Sequence, residues 1–388
     1  MMRVCFISHS AGGYGAELAL LELLEGLVKC GIECKVLVPE TGPLLAELDR
    51  LQIEWRLMEF PKWRPRRRKV GNRIIRTITA LIYAFPMARA IREWKCDVVY
   101  TNTVMIIAGA FAALLARRPH VWHLHEFGYV DPREQFDLGR RVVTWLIDHL
   151  STAIIANSCT LKQEYARYVD TQKFRVIYQA VTLKEFTNDP PSSIAGITAF
   201  KCIIVGSLQE AKAQDEAILA LAEARRQGIP AILLLIGEGD RSFRLMLEGL
   251  AERCGVEQQV IFHGYATNPL PLIGIADVVL ICSRSESFGR VTIEAMLAGK
   301  AVIGAAGGGT MELIHDGSTG LLYSPGNYLE LAAKIRYLYE NAEQKSRLGT
   351  TARNWAKDRF HRERYAGEVI KLLEEVVGEK KNRYDEPR

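Results

Sequence analysis

An order of apolar strand, turn and helix recurs along this chain and constrains its fold more than any other feature. The first copy has an apolar run at residues 4–7, a glycine-containing turn, and a helical pattern at 16–30. Further apolar runs alternate with helical segments at residues 33–38, 97–100, 121–124 and 153–156. Strands that are apolar throughout and alternate with helices are typical of a parallel sheet covered on both faces. The pattern therefore predicts a doubly wound α/β domain.

The alternation stops between residues 182 and 200, where the segment Asn-Asp-Pro-Pro-Ser-Ser has the composition of a linker. It resumes with apolar runs at residues 202–205, 231–236, 260–262, 278–281 and 301–303. We therefore predict two α/β domains, residues 1–185 and 198–360, with the carboxyl ends of their strands facing one another across a cleft. A C-terminal helix near residues 362–388 is expected to pack back on the first domain, with its polar end at 380–388 frayed.

The composition fits a globular protein, with 388 residues of which 48% are hydrophobic and 24% charged. Eight cysteines occur without a C-x-x-C pair, which indicates neither a zinc site nor a dithiol redox site. We expect a reducing, cytoplasmic setting. The first ten residues are predicted to form a strand rather than a signal peptide, and the longest apolar run, residues 104–116, is too short to span a bilayer as a helix.

Two carboxylates mark the start of one predicted helix. Glu286 follows the apolar run 278–281, and Glu294 lies about two helical turns further on. The N-terminus of a helix attracts phosphate, and a carboxylate accepts hydrogen bonds from two hydroxyl groups. The pair therefore suits a phosphate-bearing polyol. On the pair alone, two solvated surface glutamates remain an alternative.

The E-x7-E pair and its surroundings, Ser-Phe-Gly before the helix, then residues 299–303, 307–314 and 316–322, resemble the signature of the large group of retaining glycosyltransferases called family GT4. The resemblance covers nearly the whole chain and is most specific at residues 278–322. It implies the GT-B fold, with two Rossmann-like domains and the donor bound mainly by the second. It also implies that Glu294 holds the donor ribose and that Glu286 holds the transferred sugar. The sugar and phosphates are expected to meet the backbone of Phe288, Gly289, Arg290 and Val291.

The second motif begins at Gly206 and departs from the family. Where relatives carry Gly-Arg-Leu and then Lys-Gly, this chain has Ser207 in place of the arginine and Ala213 in place of the second glycine, while Lys212 is kept. The resemblance implies that the arginine and lysine brace the leaving diphosphate. The bidentate guanidinium is missing here, so we expect Arg290 or Arg284 to replace it, or its loss to be tolerated. The alternative for Lys212 is an exposed lysine at a helix start.

Two motifs of the first domain match more weakly. Residues 12–17 lack the last glycine of a dinucleotide fingerprint, but the family places a glycine-rich loop near the donor here, and Gly15 is the match. His125 stands where the family has a histidine that contacts the donor sugar, and an imidazole can bond a hydroxyl or move a proton. We expect a catalytic role for His125, with a structural histidine as the alternative. His123 is expected to point to the opposite face.

Three further residues complete the predicted donor site: Gly237 closes one strand, and His263 with Gly264 closes the next, beside the nucleotide base. No D-x-D motif occurs, so we expect neither a metal nor another cofactor. Lys212 and helix-end amides then carry the charge of the leaving group.

These residues predict a retaining hexosyltransferase. The expected donor is a UDP-sugar, with UDP-glucose as the best candidate. The expected acceptor is a glycan or a lipid-linked sugar in polysaccharide or cell-envelope synthesis. Two alternatives stay open: a degenerate nucleotide-sugar-binding protein, and a UDP-sugar epimerase-like enzyme of GT-B fold.

Residues 62–76 hold eight basic and no acidic side chains. Apolar residues are interleaved, and Ile78, Leu81, Ile82 and Phe85 continue as a helical stripe. This pattern favours a peripheral element on an anionic membrane at its inner, cytoplasmic face. A solvated basic loop is the alternative. No nucleic-acid partner is expected, because no recognised nucleic-acid fold accompanies the patch.

Overall fold

The computed structural model describes residues 1–61, 70–128, 138–183, 194 and 196–385. The chain forms two compact units. The first comprises Met1–Ala180 together with His361–Arg388, and the second comprises Val181–Phe360. Each unit is built around its own parallel sheet.

The first sheet has seven parallel strands. Their bounds are Arg3–Ser8 (β1), Glu33–Val38 (β2), Glu54–Leu57 (β3), Val98–Asn102 (β4), His120–Leu124 (β5), Ala153–Ala156 (β6) and Phe174–Val176 (β7). Their order is β3-β2-β1-β4-β5-β6-β7, so the direction in which strands are added reverses between β1 and β4. Strands β4, β5 and β6 are buried along their whole length, as expected of a sheet covered on both faces.

In the described ranges of the first unit, six helices lie between these strands. Their bounds are Gly15–Lys29 (α1), Pro43–Arg50 (α2), Val70–Glu93 (α3), Ala108–Ala116 (α4), Gly139–Leu150 (α5) and Cys159–Tyr165 (α6). Leu24 of α1 and Leu44 of α2 pack into the apolar cluster on one face of the sheet. Met87 of α3 and Ile147 of α5 pack into the cluster on the other face.

The second sheet has six parallel strands. Their bounds are Phe200–Val205 (β8), Ala231–Ile236 (β9), Val260–Gly264 (β10), Val278–Ile281 (β11), Ala301–Ala305 (β12) and Leu321–Tyr323 (β13). Their order is β10-β9-β8-β11-β12-β13, so the direction in which strands are added again reverses, here between β8 and β11. In open α/β sheets, ligands bind outside the carboxyl ends of the strands at such a reversal.

Within the described residues, seven helices of the second unit surround this sheet. Their bounds are Gln214–Arg226 (α7), Arg241–Arg253 (α8), Leu270–Gly274 (α9), Arg290–Leu297 (α10), Thr310–Leu313 (α11), Tyr328–Glu340 (α12) and Ala342–Arg359 (α13). Leu221 of α7 and Ile335 of α12 join the strand residues Leu233 and Leu280 in one buried cluster. The prediction of two Rossmann-like, doubly wound α/β domains is confirmed for the architecture of each unit.

The last helix, Arg362–Asp385 (α14), returns to the first unit. Its buried residues Tyr365, Val369 and Leu373 belong to the same apolar cluster as α1. A Cβ added to Gly26 of α1 would lie only 2.6 Å from the Cβ of Ala366, so the helices approach closely there. The helix continues to Asp385, so residues 380–385 are helical where the sequence predicted a frayed end. Residues 386–388 lie outside the described residues.

Two further properties bear on the setting. None of the helices in the described ranges is both long and apolar enough to cross a bilayer. All eight cysteines are free thiols, and five of them are buried.

Candidate active site

The loops that follow β8 and β9 approach each other closely at glycine residues. A Cβ on Gly237 would overlap the carbonyl oxygen of Gly206, and a Cβ on Gly239 would overlap the carbonyl of Leu208. The amide of Leu208 also donates to the carbonyl of Glu238 (2.9 Å). Only glycine permits backbone segments to approach this closely. Gly206 and Gly237, both predicted on the donor side, therefore shape one stretch of the sheet edge.

Lys212 and Glu286 form an ion pair at this edge. Lys212 ends the 3-10 turn Glu210–Lys212, and Glu286 lies on the loop between β11 and α10. Lys212 Nζ lies 2.7 Å from Glu286 Oε2, and the side chains are 27% and 17% exposed. The residue predicted to bind the donor phosphate and the one predicted to bind the donor sugar are therefore in contact. Lys212 is not a solvated lysine at a helix start.

The backbone around Glu286 is held by its neighbours. The amide of Gly309 donates to the carbonyl of Glu286 (2.7 Å), and a Cβ on Gly308 would lie 2.5 Å from the same oxygen. Phe288 is buried, and its ring meets that of Phe360 edge to face, with centroids 6.0 Å apart. The loop that carries Glu286 is therefore held by contacts on both sides.

Helix α10 begins directly after this loop. Gly289 caps it with a φ of +101°, a left-handed conformation that favours glycine, and no side chain caps its first amides. Val291 lies in the first turn. Glu294 lies in the second turn, where Arg290 Nε is 3.9 Å from its Oε1. The helix start thus combines a dipole suited to an anion with a carboxylate suited to hydroxyl groups.

Both arginines proposed to replace the missing guanidinium lie beside carboxylates. Arg284 donates to Asp215 (3.1 Å) and Glu216 (3.4 Å) in the first turn of α7, while Arg290 lies beside Glu294. At Ser207, the backbone carbonyl accepts a hydrogen bond from Gln214 Nε2 (2.9 Å). Both arginines therefore already have carboxylate neighbours in this structure.

The residues predicted beside the nucleotide base lie at the ends of β9 and β10. The amide of Gly237 donates to the carbonyl of Gly264 (2.8 Å), and Gly264 has a φ of +85°. His263 Nδ1 lies 3.4 Å from the same carbonyl oxygen. The structure therefore places Gly237, His263 and Gly264 together.

In the first unit, His125 is held by a buried chain of hydrogen bonds just after β5. Its Nε2 lies 2.7 Å from Asn102 Oδ1, and its Nδ1 lies 2.7 Å from Gln179 Nε2. Asn102 Nδ2 donates to the carbonyl of Ala16 in the first turn of α1 (3.1 Å). The three side chains are at most 6% exposed. Asn102 therefore links His125 to Ala16, which directly follows Gly15 at the start of α1.

The expectation that His123 points to the face opposite His125 is wrong. The centroids of the two rings are 4.0 Å apart, because positions two apart along an extended chain share a face. His123 is fully buried, and its Nδ1 bonds the hydroxyl of Tyr100 (2.7 Å). Burial lowers the pKa of His123 to about 3, so its ring is neutral.

The predicted membrane segment is described only in part. Residues 62–69 lie outside the described residues, and 70–76 form the start of α3. Four apolar side chains further along this helix are exposed by half or more: Ile75, Ile78, Ile82 and Phe85.

Several residues that shape the site escaped the sequence reasoning. Asn102 carries no signal beyond its position at the end of β4. Asp215 and Glu216 are the usual acidic residues of a first helical turn, so their contact with Arg284 could not be foreseen. Over the described ranges, no three His, Cys, Asp or Glu side chains are grouped as a metal ion would require.

Comparisons with known proteins agree with this architecture. The family model described as "Glycosyltransferase Family 4" matches residues 14–185, and the model described as "Glycosyl transferases group 1" matches residues 189–355. The N-acetyl-alpha-D-glucosaminyl L-malate synthase of Bacillus anthracis is 29% identical over 46% of this chain and 46% of that protein. The match thus spans less than half the length of that relative. The D-inositol 3-phosphate glycosyltransferase of Xylanimonas cellulosilytica is 26% identical over 87% of this chain and 86% of that protein.

Among solved structures, Anabaena Alr3699/HepE in complex with UDP-glucose superimposes with a TM-score of 0.81 at 25% identity, covering 97% of this chain and 100% of that one. The fold is that of the GT-B class, with two Rossmann-like domains. Within that class, the chain belongs to the group 1 glycosyltransferases, family GT4.

Proposed function

We propose that this protein is a retaining hexosyltransferase that moves glucose from UDP-glucose to a glycan or lipid-linked sugar acceptor in polysaccharide or cell-envelope synthesis. The contact between Lys212 and Glu286 beside the start of α10 carries this proposal. It joins a cation for the diphosphate to a carboxylate for the sugar. The UDP-glucose complex of HepE supports the choice of donor.

Donor binding exchanges the partners of this pair. The diphosphate takes the ammonium of Lys212 and the amides at the start of α10, while the sugar hydroxyls take Glu286 and the ribose hydroxyls take Glu294. The bond between the anomeric carbon and the phosphate oxygen then breaks, and negative charge grows on the phosphate. Fixed donors aimed at that charge are the main catalytic contribution, and no metal is required.

The acceptor hydroxyl attacks the anomeric carbon from the face that the phosphate leaves. A new bond from the anomeric carbon to the acceptor oxygen replaces the bond from that carbon to the phosphate oxygen, and the departing phosphate oxygen takes the hydroxyl proton. The configuration of the sugar is therefore retained.

A thermal-shift panel with UDP, GDP, ADP and several UDP-sugars, in the presence of EDTA, tests donor and metal independence together. A ligand that binds only the folded state raises the melting temperature. We expect the melting temperature to rise with UDP and with UDP-glucose. In a separate transfer assay, the α-linked donor should give an α-linked product. A shift that requires a divalent metal, or an inverted product, would contradict the mechanism.

Ser207 in place of the family's arginine favours a second candidate, a nucleotide-sugar-binding protein without turnover. Binding of UDP-glucose with neither transfer nor release of UDP would support it. Release of UDP without an acceptor would instead support the epimerase-like alternative.

We also propose that α3 lies on an anionic membrane at its cytoplasmic face. Ile75, Ile78, Ile82 and Phe85 recur at spacings of three or four residues, so they form one apolar stripe on the exposed side of this helix. The eight basic residues at 62–76 in the sequence complement anionic lipid headgroups.

Co-sedimentation with vesicles tests this surface. Wild type is expected to bind vesicles of phosphatidylcholine and phosphatidylglycerol and to bind phosphatidylcholine alone weakly. Ile82→Glu and Phe85→Glu should each weaken binding, while Leu245→Glu, at an exposed site in the second unit, should not. Binding that ignores anionic lipid would rule the proposal out.

A further inference from the structure

The hydrogen-bond partners of His125 determine where its ring proton lies. Asn102 uses its amide nitrogen to donate to the carbonyl of Ala16, so the atom that faces His125 is Oδ1, which only accepts. Nε2 must therefore carry a hydrogen. Gln179 faces Nδ1 with its amide nitrogen, which only donates, so Nδ1 carries a lone pair. Both contacts select the same neutral tautomer.

We propose that Asn102 and Gln179 are positioning residues that hold His125 neutral, with its proton on Nε2, and join its ring to the start of α1. Because both ring nitrogens are engaged inside the first unit, His125 in this state does not take a proton from a substrate. Its ring instead connects the loop after β5, through Asn102, to the first turn of α1. The inference rests on the proposed function only for its kinetic test.

The backbone of His125 extends this connection. Its carbonyl accepts a hydrogen bond from Asn157 Nδ2 (3.4 Å) at the end of β6. One residue thus links the ends of β4, β5 and β6 with the segment after β7, all at the carboxyl edge of the sheet.

The rings of His123 and Tyr100, on the neighbouring strand positions, are neutral. The ring of His123, 4.0 Å away on β5, is kept neutral by its low pKa. On β4, burial raises the pKa of Tyr100. Within the described residues, the other titratable groups on adjoining elements include Tyr365 and Arg364 of α14, Glu17 of α1 with His9 beside it (3.2 Å), and Glu126, Tyr165 and Tyr178. A protonated ring would point an N–H at the amide nitrogen of Gln179, a contact between two donors.

The substitution Gln179→Glu replaces the amide donor that faces Nδ1 with a carboxylate acceptor of almost the same shape. A carboxylate at the same place accepts from Nδ1–H and balances an imidazolium charge. We therefore expect the variant to protonate His125 on both nitrogens. Gln172→Glu is the matched control, because it makes the same charge change at an exposed site on the 3-10 turn Thr171–Lys173.

Long-range 1H–15N spectra of the full-length protein, labelled at histidine and recorded near neutral pH, read the tautomer directly. Wild type should show hydrogen on Nε2 and a lone pair on Nδ1 of His125. Gln179→Glu should show hydrogen on both, and Gln172→Glu should match wild type. Hydrogen on Nδ1 in wild type, or a Gln179→Glu spectrum equal to that of wild type, would overturn the proposal.

Steady-state transfer from UDP-glucose provides the second readout. Gln179→Glu should lower kcat by up to about tenfold, the effect of losing one oriented hydrogen bond, and should displace the pH profile of kcat. A variant with altered packing alone would keep the wild-type profile. If no UDP-sugar supports transfer, the proposed function fails, and the spectra of wild type still decide the tautomer.

Discussion

At the carboxyl edge of the second sheet, Lys212, Arg284 and Arg290 each lie beside a carboxylate. Sequence motifs identified Lys212 and Glu286 separately. Their contact, across 74 residues of chain, depends on how two loops rise from β8 and β11. It therefore could not be predicted from spacing.

Glu286→Ala should separate donor binding from turnover. We expect kcat to fall by about a hundredfold or more, because the sugar loses its fixed carboxylate. UDP binding should persist or tighten, because Lys212 is freed for the diphosphate. Steady-state kinetics and calorimetric titration with UDP measure the two effects.

Glu343→Ala, at an exposed position early in α13, is the matched control and should change neither quantity. An equal loss of kcat and UDP affinity in Glu286→Ala would contradict the assignment of Glu286 to the sugar.

Ser207→Arg should restore the guanidinium that the family carries. A charge-assisted pair with the diphosphate is expected to strengthen UDP binding about tenfold. Titration of Ser207→Arg against Ser207→Ala checks this. Unchanged or weaker binding in the arginine variant would show that the loop no longer directs this position toward phosphate.

At the scale of elements, apolar strands flanked by glycine turns were predicted well. Strands β2, β6, β9 and β11 begin and end at the predicted residues. Strand β3 was missed because Glu54-Trp55-Arg56-Leu57 is a short edge strand with mixed polarity, and β7 and β13 have three residues each. Edge strands lack the double burial that makes central strands readable.

Strand β5 should make stability fall on mild acidification. Burial lowers the pKa of His120 to about 4 and that of His123 to about 3, against about 6.5 in the unfolded chain. Below about pH 6.5 the unfolded chain binds more protons than the folded protein does. The free energy of unfolding therefore has its full value above that pH and declines toward pH 4.

Urea unfolding at several pH values measures this slope. His123→Gln should make it shallower, while His149→Gln, at an exposed site on α5, should leave it unchanged. An unaltered slope in His123→Gln would mean that other groups control the acid sensitivity.

At the scale of the whole molecule, each unit has its own buried core. Leu373 in the first and Leu338 in the second are both fully buried. Each change to alanine should destabilise its own unit by about 2–5 kcal/mol. Calorimetry should show two transitions. Leu373→Ala should lower the melting temperature of the first unit and Leu338→Ala that of the second, while UDP should raise the melting temperature of the second unit. Movement of both transitions in either variant would show that the units unfold as one.

The place of α14 in the chain also sets the order in which the domains are completed during translation. The segment Val181–Phe360 has been synthesised before the residues that cover α1 are made. Until then Leu20, Leu24 and Leu27 lack the helix that shares their apolar cluster. The domain that is synthesised first is therefore the last to be finished, and until then its nascent form lacks the helix that covers these leucines.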